Sequence, residues 1–408
     1  MKKSRLVATL FALASIAMVS CNKGDDKAMP EHKSSMISFE NVVKPKDFVQ
    51  SGSFKGVGGP GVNMPVVLPG SSISFKFNAG KGQALMFATM YGKSKDWFFA
   101  PENPGLNLYD DKGMPMTGDV SNQIKLWDNG SKNNETGAAE NNNVMQVPGV
   151  DASKLMRLML DYNATTSEFT LTITNTSRGT SHETPFSPGV WAVSNVLGGK
   201  LLNDMPFYKA GAKSNPEITA IAEMGNNMPL VKKIADNTGI ITGISPAIVV
   251  IYTGNVNPLF VVGKKDAGMG LSSLAQKDDA TALKSALEKM PQVKKVYIAG
   301  NAPIGPGQKA HVMYDFAEGD HIAYATMFGY SNDWFYANNS MIAAGLKGDV
   351  TAMTALFDDG TAVDQYPGAG NAQALFGGKP IKEDKNIIEV GKMFPVLATD
   401  KVLRVILK

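Results

Sequence analysis

The chain has 408 residues, 43% of them hydrophobic and 19% charged. These are the proportions of a folded protein long enough for two domains with full cores. Without Lys2, Lys3 and Arg5 of the leader, 37 basic residues stand against 37 acidic ones, and no basic stripe is visible, which argues against nucleic acid as a partner.

Residues 1–20 have the form of a secretory leader. Met1 to Arg5 is basic, and Leu6 to Val19 is an apolar run too short for a confident membrane span. It ends in Met18-Val19-Ser20-Cys21, which resembles the lipobox of bacterial lipoproteins, with Met18 where Leu is usual. Cys21 is the only cysteine, so no intrachain disulfide is available and lipidation is its expected fate, anchoring the chain in the cell envelope. An ordinary leader with an incidental cysteine is the alternative. Residues 21–37 are polar and read as a flexible tether.

The folded part is expected as two units, 38–236 and 237–408. In the first, Ser72 to Asn78 alternates apolar and polar residues as a half-buried strand does, and Gln83 to Tyr91 is a more apolar strand. The glycine-rich stretch Asn78 to Gly82 between them reads as a hairpin turn. Gln123 to Trp127 alternates again and precedes an Asn-rich loop, 129–143. Leu155–Tyr162 and Phe169–Thr174 read as a hairpin. Further on, Gly270 to Ala275 and Ala280 to Met290 have helical spacing, with Leu283 and Leu287 on one face. Val402 to Leu407 reads as a closing strand.

A repeat organises these pieces. Ala88 to Ala100 aligns without a gap to Ala325 to Ala337, carrying Asp96-Trp97-Phe98 onto Asp333-Trp334-Phe335. Gly118-Asp119-Val120 faces Gly348-Asp349-Val350, and Leu126-Trp127-Asp128 faces Leu356-Phe357-Asp358. A second similarity joins Ser187-Pro188 to Ser245-Pro246 and Pro206-Phe207-Tyr208 to Pro258-Leu259-Phe260. The halves of the first unit therefore stand in swapped order, and the second unit lacks an obvious opening strand.

Ser245-Pro246, Pro258-Leu-Phe260, Gly270-Leu271, Leu274-Ala275, Pro306-Gly307 and Ser331-Asn-Asp-Trp-Phe335 resemble, in that order, the bacterial form of the spondin N-terminal domain. The resemblance covers 244–408 nearly completely, and 53–236 carries the same motifs permuted. It implies a mainly β chain of two C2-like antiparallel sandwiches with short helices, a metal ion at one end of each, and recognition of an extracellular protein or glycan. Such a permutation costs little where domain termini lie close together.

Asp96, Asp128, Asn134 and Glu135, and in the second copy Asp333, Asp358 and Asp364, are the candidate metal ligands. Calcium gathers six to eight hard oxygens, often from several loops. Aspartates before Trp or before x-Gly also form local Asx turns. A turn gives no reason for two distant aspartates to recur as a set, whereas a shared cation does, because it offsets their mutual repulsion. Gln365 stands where the first copy has Glu135, so the second site is expected to be the weaker one. The tryptophans are expected in the core. His311 and His321 are expected on paired strands, in structural roles. No phosphate loop, nucleophile elbow or zinc-protease motif occurs. The leading expectation is a non-enzymatic, calcium-dependent adhesion or binding lipoprotein, with a carbohydrate-active enzyme or a purely structural envelope component as alternatives.

Overall fold

The structure is a computed structural model that describes residues 33–58 and 65–408. The leader, Cys21 and most of the tether lie outside the described residues. The main strands and helices, in chain order, are β1 (Lys33–Asn41), β2 (Phe48–Phe54), β3 (Ser72–Asn78), β4 (Ala84–Met90), β5 (Trp97–Pro101), β6 (Ile124–Asp128), β7 (Met156–Asn163), β8 (Glu168–Asn175), β9 (Gly189–Ser194), α1 (Pro216–Met224), α2 (Met228–Asp236), β10 (Ala247–Tyr252), α3 (Leu271–Lys277), α4 (Thr281–Leu287), β11 (Val293–Ala299), β12 (Lys309–Phe316), β13 (His321–Met327), β14 (Trp334–Asn338), β15 (Thr354–Asp358) and β16 (Leu403–Leu407). The chain is mainly β, and its sheets are antiparallel. Among the described residues no helix is long and apolar enough to cross a membrane.

Two β-sandwich units share one plan. In the first, an outer sheet β3-β8-β7 faces a central sheet β2-β9-β4-β5-β6. In the second, β12-β1-β16 faces β11-β10-β13-β14-β15. The space between the sheets holds Phe77, Leu160, Phe169, Leu85, Phe99 and Trp191 in the first unit. The corresponding space in the second holds Phe39, Tyr314, Leu403, Val405, Tyr324 and Trp334. A helix pair covers the far side of each central sheet: α1 and α2 bury Ile218, Ile221, Leu230 and Ile234, and α3 and α4 bury Leu271, Leu274, Leu283 and Leu287.

This layering explains the sequence patterns. Strands of the outer sheets have one face in the core and one in water, so β7 and β8 alternate. Strands β9 and β10 lie between the other sheet and the helices, are buried along their whole length, and read as continuous apolar runs. Helix α1 begins where the Asn215 side chain accepts from the Ile218 N–H and Pro216 sets the first turn, and it ends at Gly225 in the left-handed conformation, φ 65°.

The swapped order is a circular permutation. In the first unit β8 follows β7 through the turn at 164–167 and lies between β3 and β7. In the second the same position, between β12 and β16, is filled by β1 from the start of the described chain. The second unit's opening strand is therefore Lys33–Asn41: Lys33–Ile37, expected in the flexible tether, and Ser38–Asn41, expected in the first unit, both belong to the second unit's outer sheet. The first unit is inserted between β1 and the rest of the second.

The hairpin expected at 155–174 forms, with Met156 opposite Asn175 and Asn163 opposite Glu168. The one expected at 72–91 does not. Strand β3 pairs with β8, and β4 pairs with β9 and β5. The glycine-rich connection crosses from one sheet to the other, because both strands present apolar faces to the same core. For the same reason His311 and His321 stand on different sheets rather than on paired strands.

The units are joined by hydrogen bonds centred on the segment 365–373. Gln83 Nε2 donates to the Gly368 carbonyl at 2.9 Å, Gln365 Nε2 to the Thr165 carbonyl at 2.9 Å, and the Asn371 N–H to Ser167 Oγ at 2.8 Å. Tyr330 Oη donates to the Val196 carbonyl at 2.6 Å.

Candidate metal centre

Strand pairing brings the distant aspartates together. Trp97 pairs with Asp128 across β5 and β6, and Trp334 pairs with Asp358 across β14 and β15. Asp96 and Asp333 immediately precede those tryptophans, so each falls at the same end of the sheet as its partner. The loop after the second strand then folds back and donates its backbone N–H groups to the first aspartate.

In the second unit, Asp333 Oδ2 accepts from the N–H groups of Thr361 at 2.7 Å and Ala362 at 2.8 Å, and from Thr361 Oγ1 at 3.0 Å. Asp333 is fully buried, and its Oδ1 has no hydrogen-bond partner. Asp358 Oδ1 accepts from the Gly360 N–H at 2.8 Å, and Asp364 Oδ1 from the Trp334 indole at 2.6 Å. One carboxylate oxygen from each of Asp333, Asp358 and Asp364 lies within 4.8 Å of the others. Buried acidic Asp359 adjoins them, and its Oδ1 is also unpartnered.

The electrostatic cost of this cluster is visible in its protonation. Burial, then the charge on Asp358, pushes Asp333 up to about 7. Burial, with Asp358 and Asp333, takes Asp364 to about 7. Burial, and then Asp266, takes Asp359 to about 8. Burial and Glu383 raise Asp358. The cation at the edge is Lys385, paired with Glu383 at 2.6 Å. Carboxylates raised this far by burial and by one another, with Asp333 Oδ1 and Asp359 Oδ1 lacking a donor, are a set whose charge the protein does not fully meet.

The first unit resolves the same geometry differently. Asp96 Oδ2 accepts from the N–H groups of Ser131 and Lys132, both at 2.8 Å. Asn134 Nδ2 lies between the carboxylates, 2.9 Å from Asp96 Oδ1 and 3.3 Å from Asp128 Oδ2. Asp128 Oδ2 also accepts from the Trp97 indole at 3.0 Å. Burial chiefly, and Asp128 secondarily, raise Asp96. Every oxygen of this pair has a donor, so the amide supplies what a cation would.

Asp96, Asp128 and Asn134 therefore meet, as do Asp333, Asp358 and Asp364. Glu135 does not join them: it is exposed on the turn. Gln365, which replaces it, is buried and serves the junction between the units. The loss of Glu135 thus takes nothing from the second site. The difference that matters lies at Asn134 and Asn129, which become Asp364 and Asp359.

Sequence reading missed Asp359, Glu383 and its counterpart Glu140. Asp359 sat inside the aligned motif, opposite Asn129, and was legible there. Glu383 was hidden by the longer loop. Its place follows from the backbone pairings of Glu383 N–H with Thr361 and Glu140 N–H with Ser131.

The oxygen-rich donor set and the buried, unpartnered Asp333 Oδ1 fit a hard divalent cation of the calcium type. No protein-family model matches the chain, and no curated protein matches it.

Proposed function

We propose that the chain is a non-enzymatic, envelope-anchored binding protein whose second spondin-like sandwich holds calcium at its tip and presents the adjoining loops to an extracellular protein or glycan. The observation that carries this reading is the Asp333–Asp358–Asp364 cluster, with one buried oxygen left without a donor. Asp333, Asp358 and Asp364 would ligate the ion, and Asp359 would add charge behind them. The ion would tie the loop 359–364 to strand β14, fixing the shape of that end of the sandwich. The first unit, closed by Asn134, would serve as scaffold without an ion. Anchoring rests on Cys21 and the apolar run before it, since a lipidated residue carrying several chains holds stably where one does not.

Isothermal titration of the intact chain with calcium tests the centre. One equivalent should bind, and Asp333→Asn should abolish it; two equal equivalents, or none, would end this assignment. A glycan and matrix-protein array read in calcium and in chelator then tests recognition. Hits that persist unchanged in chelator would separate binding from the ion.

A further inference from the structure

The two acidic centres differ in what lies beside them as well as in their charge. In the first unit the turn after Asn134 is on the surface. Glu135 is exposed, and among the described residues the hydrogen bonds of 133–140 stay within that unit, as from Asn133 Nδ2 to Glu140 Oε1 at 2.9 Å. In the second unit the corresponding turn is longer and runs into the junction between the units. The centre closed by an amide is therefore the remote one, and the centre left acidic is the one that adjoins the other unit.

The connection from centre to junction is short. Asn332 precedes Asp333, Gln365 follows Asp364, and both are buried. The Gln365 N–H donates to Asn332 Oδ1 at 2.9 Å, so the neighbours of two candidate ligands are bonded to each other. The Gln365 side chain then reaches outward. Its Oε1 accepts from the Ala372 N–H at 2.8 Å within the loop, and its Nε2 donates to the Thr165 carbonyl of the first unit at 2.9 Å.

Beyond Gln365 the loop enters the first unit. Ala369 is fully buried in the first unit's core, and Tyr366 packs against the cores of both units. Asn371 bonds across the junction in both directions: its N–H donates to Ser167 Oγ at 2.8 Å, and its Oδ1 accepts from the Lys81 N–H at 3.1 Å. Hydrogen bonds of this kind weaken steeply once a donor is displaced or turned, so they hold only while the base of the loop is held. At that base three donors on Asp333 and the indole on Asp364 work against the repulsion of buried carboxylates. A divalent cation reverses the sign of that interaction. It draws Asp364 to Asp333, and with them Gln365 to Asn332.

We propose that calcium at Asp333, Asp358 and Asp364 closes the junction, so that ion binding and docking of the first unit are coupled through the segment 365–373. The inference rests on the calcium reading of this centre and adds a regulation to it: the ion sets how firmly the two sandwiches are held together. Such coupling is reciprocal. Contacts made by the first unit, far from the carboxylates, must therefore strengthen the binding of the ion.

Hydrogen exchange and titration calorimetry on the intact chain test both directions. The Lys81 amide belongs to the first unit and donates to Asn371 of the second. Calcium should slow its exchange about ten-fold. The Lys132 amide, which donates to Asp96 in the closed centre, should exchange at the same rate with and without the ion. Gln365→Met keeps every candidate ligand; it should still bind calcium but lose the slowing at Lys81. Ser167→Ala removes the acceptor of the Asn371 N–H from the first unit's side, and should weaken calcium binding about five-fold. One equivalent of calcium bound with no change at Lys81, full slowing in Gln365→Met, or unchanged affinity in Ser167→Ala would overturn the proposal and leave the calcium centre standing. A wild-type chain that binds no calcium would end both. Should either variant fail to fold, the wild-type comparison of Lys81 with Lys132 still decides.

Discussion

Asp333→Asn should stabilise the protein without calcium and abolish the further stabilisation that calcium gives wild type. The variant keeps an oxygen for the N–H groups of Thr361 and Ala362. It also puts an amide N–H₂ where Oδ1 has no donor. Asp333 sits at about 7 in the folded protein against the 3.8 of an unperturbed aspartate, a difference worth about 4 kcal/mol at roughly 1.36 kcal/mol per pH unit. The sign follows from proton counting. Between these two values the folded state holds a proton that the unfolded chain has released, so wild-type stability falls as pH rises through the window. In chelator the variant's advantage should be small at pH 5 and grow to at most about 4 kcal/mol at pH 8. For a unit of this size that is on the order of 10 °C in melting temperature. Calcium at about 100 times its dissociation constant should return about 2.7 kcal/mol to wild type alone. Differential scanning calorimetry at both pH values, in chelator and in calcium, reads all four quantities. A variant less stable than wild type in chelator at pH 8, or an equal calcium response in both proteins, would refute the reasoning.

Asn134→Asp should convert the first unit's closed centre into an acidic one, lowering its melting temperature in chelator and raising calcium stoichiometry from one to two by titration calorimetry. Trp191 is 9% exposed and stacks on Phe75 at 5.2 Å; Trp191→Ala should cost about 3–5 kcal/mol by urea denaturation. A fragment of residues 237–408 should fail to give a cooperative transition until a peptide of residues 33–41 is added, because that fragment lacks the strand between β12 and β16. Cys21→Ala should move the protein from the membrane to the soluble fraction on fractionation.

What the sequence made legible followed from periodicity and repetition. Alternation in Leu155–Tyr162 and Phe169–Thr174 marked two strands with one wet face, and the short turn between them left a hairpin as the simplest pairing. The convergence of Asp96 with Asp128, and of Asp333 with Asp358, followed from their recurrence in register. Alternation does not say which strand lies beside which, however. The short loop at 78–83 looked like a turn within one sheet because a crossing between stacked sheets needs little more chain. Lys33–Asn41 was divided between the tether and the first unit, since its partners are at the far end of the sequence and no local pattern encodes them. The contrast between the two centres rests on Asn134 and Asn129, where the second copy has Asp364 and Asp359, one atom exchanged at each aligned position. Its meaning appears only when the donors around each oxygen are counted.

The position of β1 sets an order on folding during synthesis. Strand β1 leaves the ribosome before either of its neighbours exists, with Ile37 and Phe39 on the face that later enters the core. The first unit, from β2 to α2, is complete in the chain long before β16 emerges and can close alone, as domains generally do. Until β12 emerges, β1 has two open edges and an apolar face, the combination that invites pairing with another chain, and β12 closes only one of those edges. The second edge stays open until Leu403–Leu407 docks against it. Completion of the second sandwich thus waits on the synthesis of β16, and a chain cut short between β12 and β16 leaves one edge of β1 unpaired.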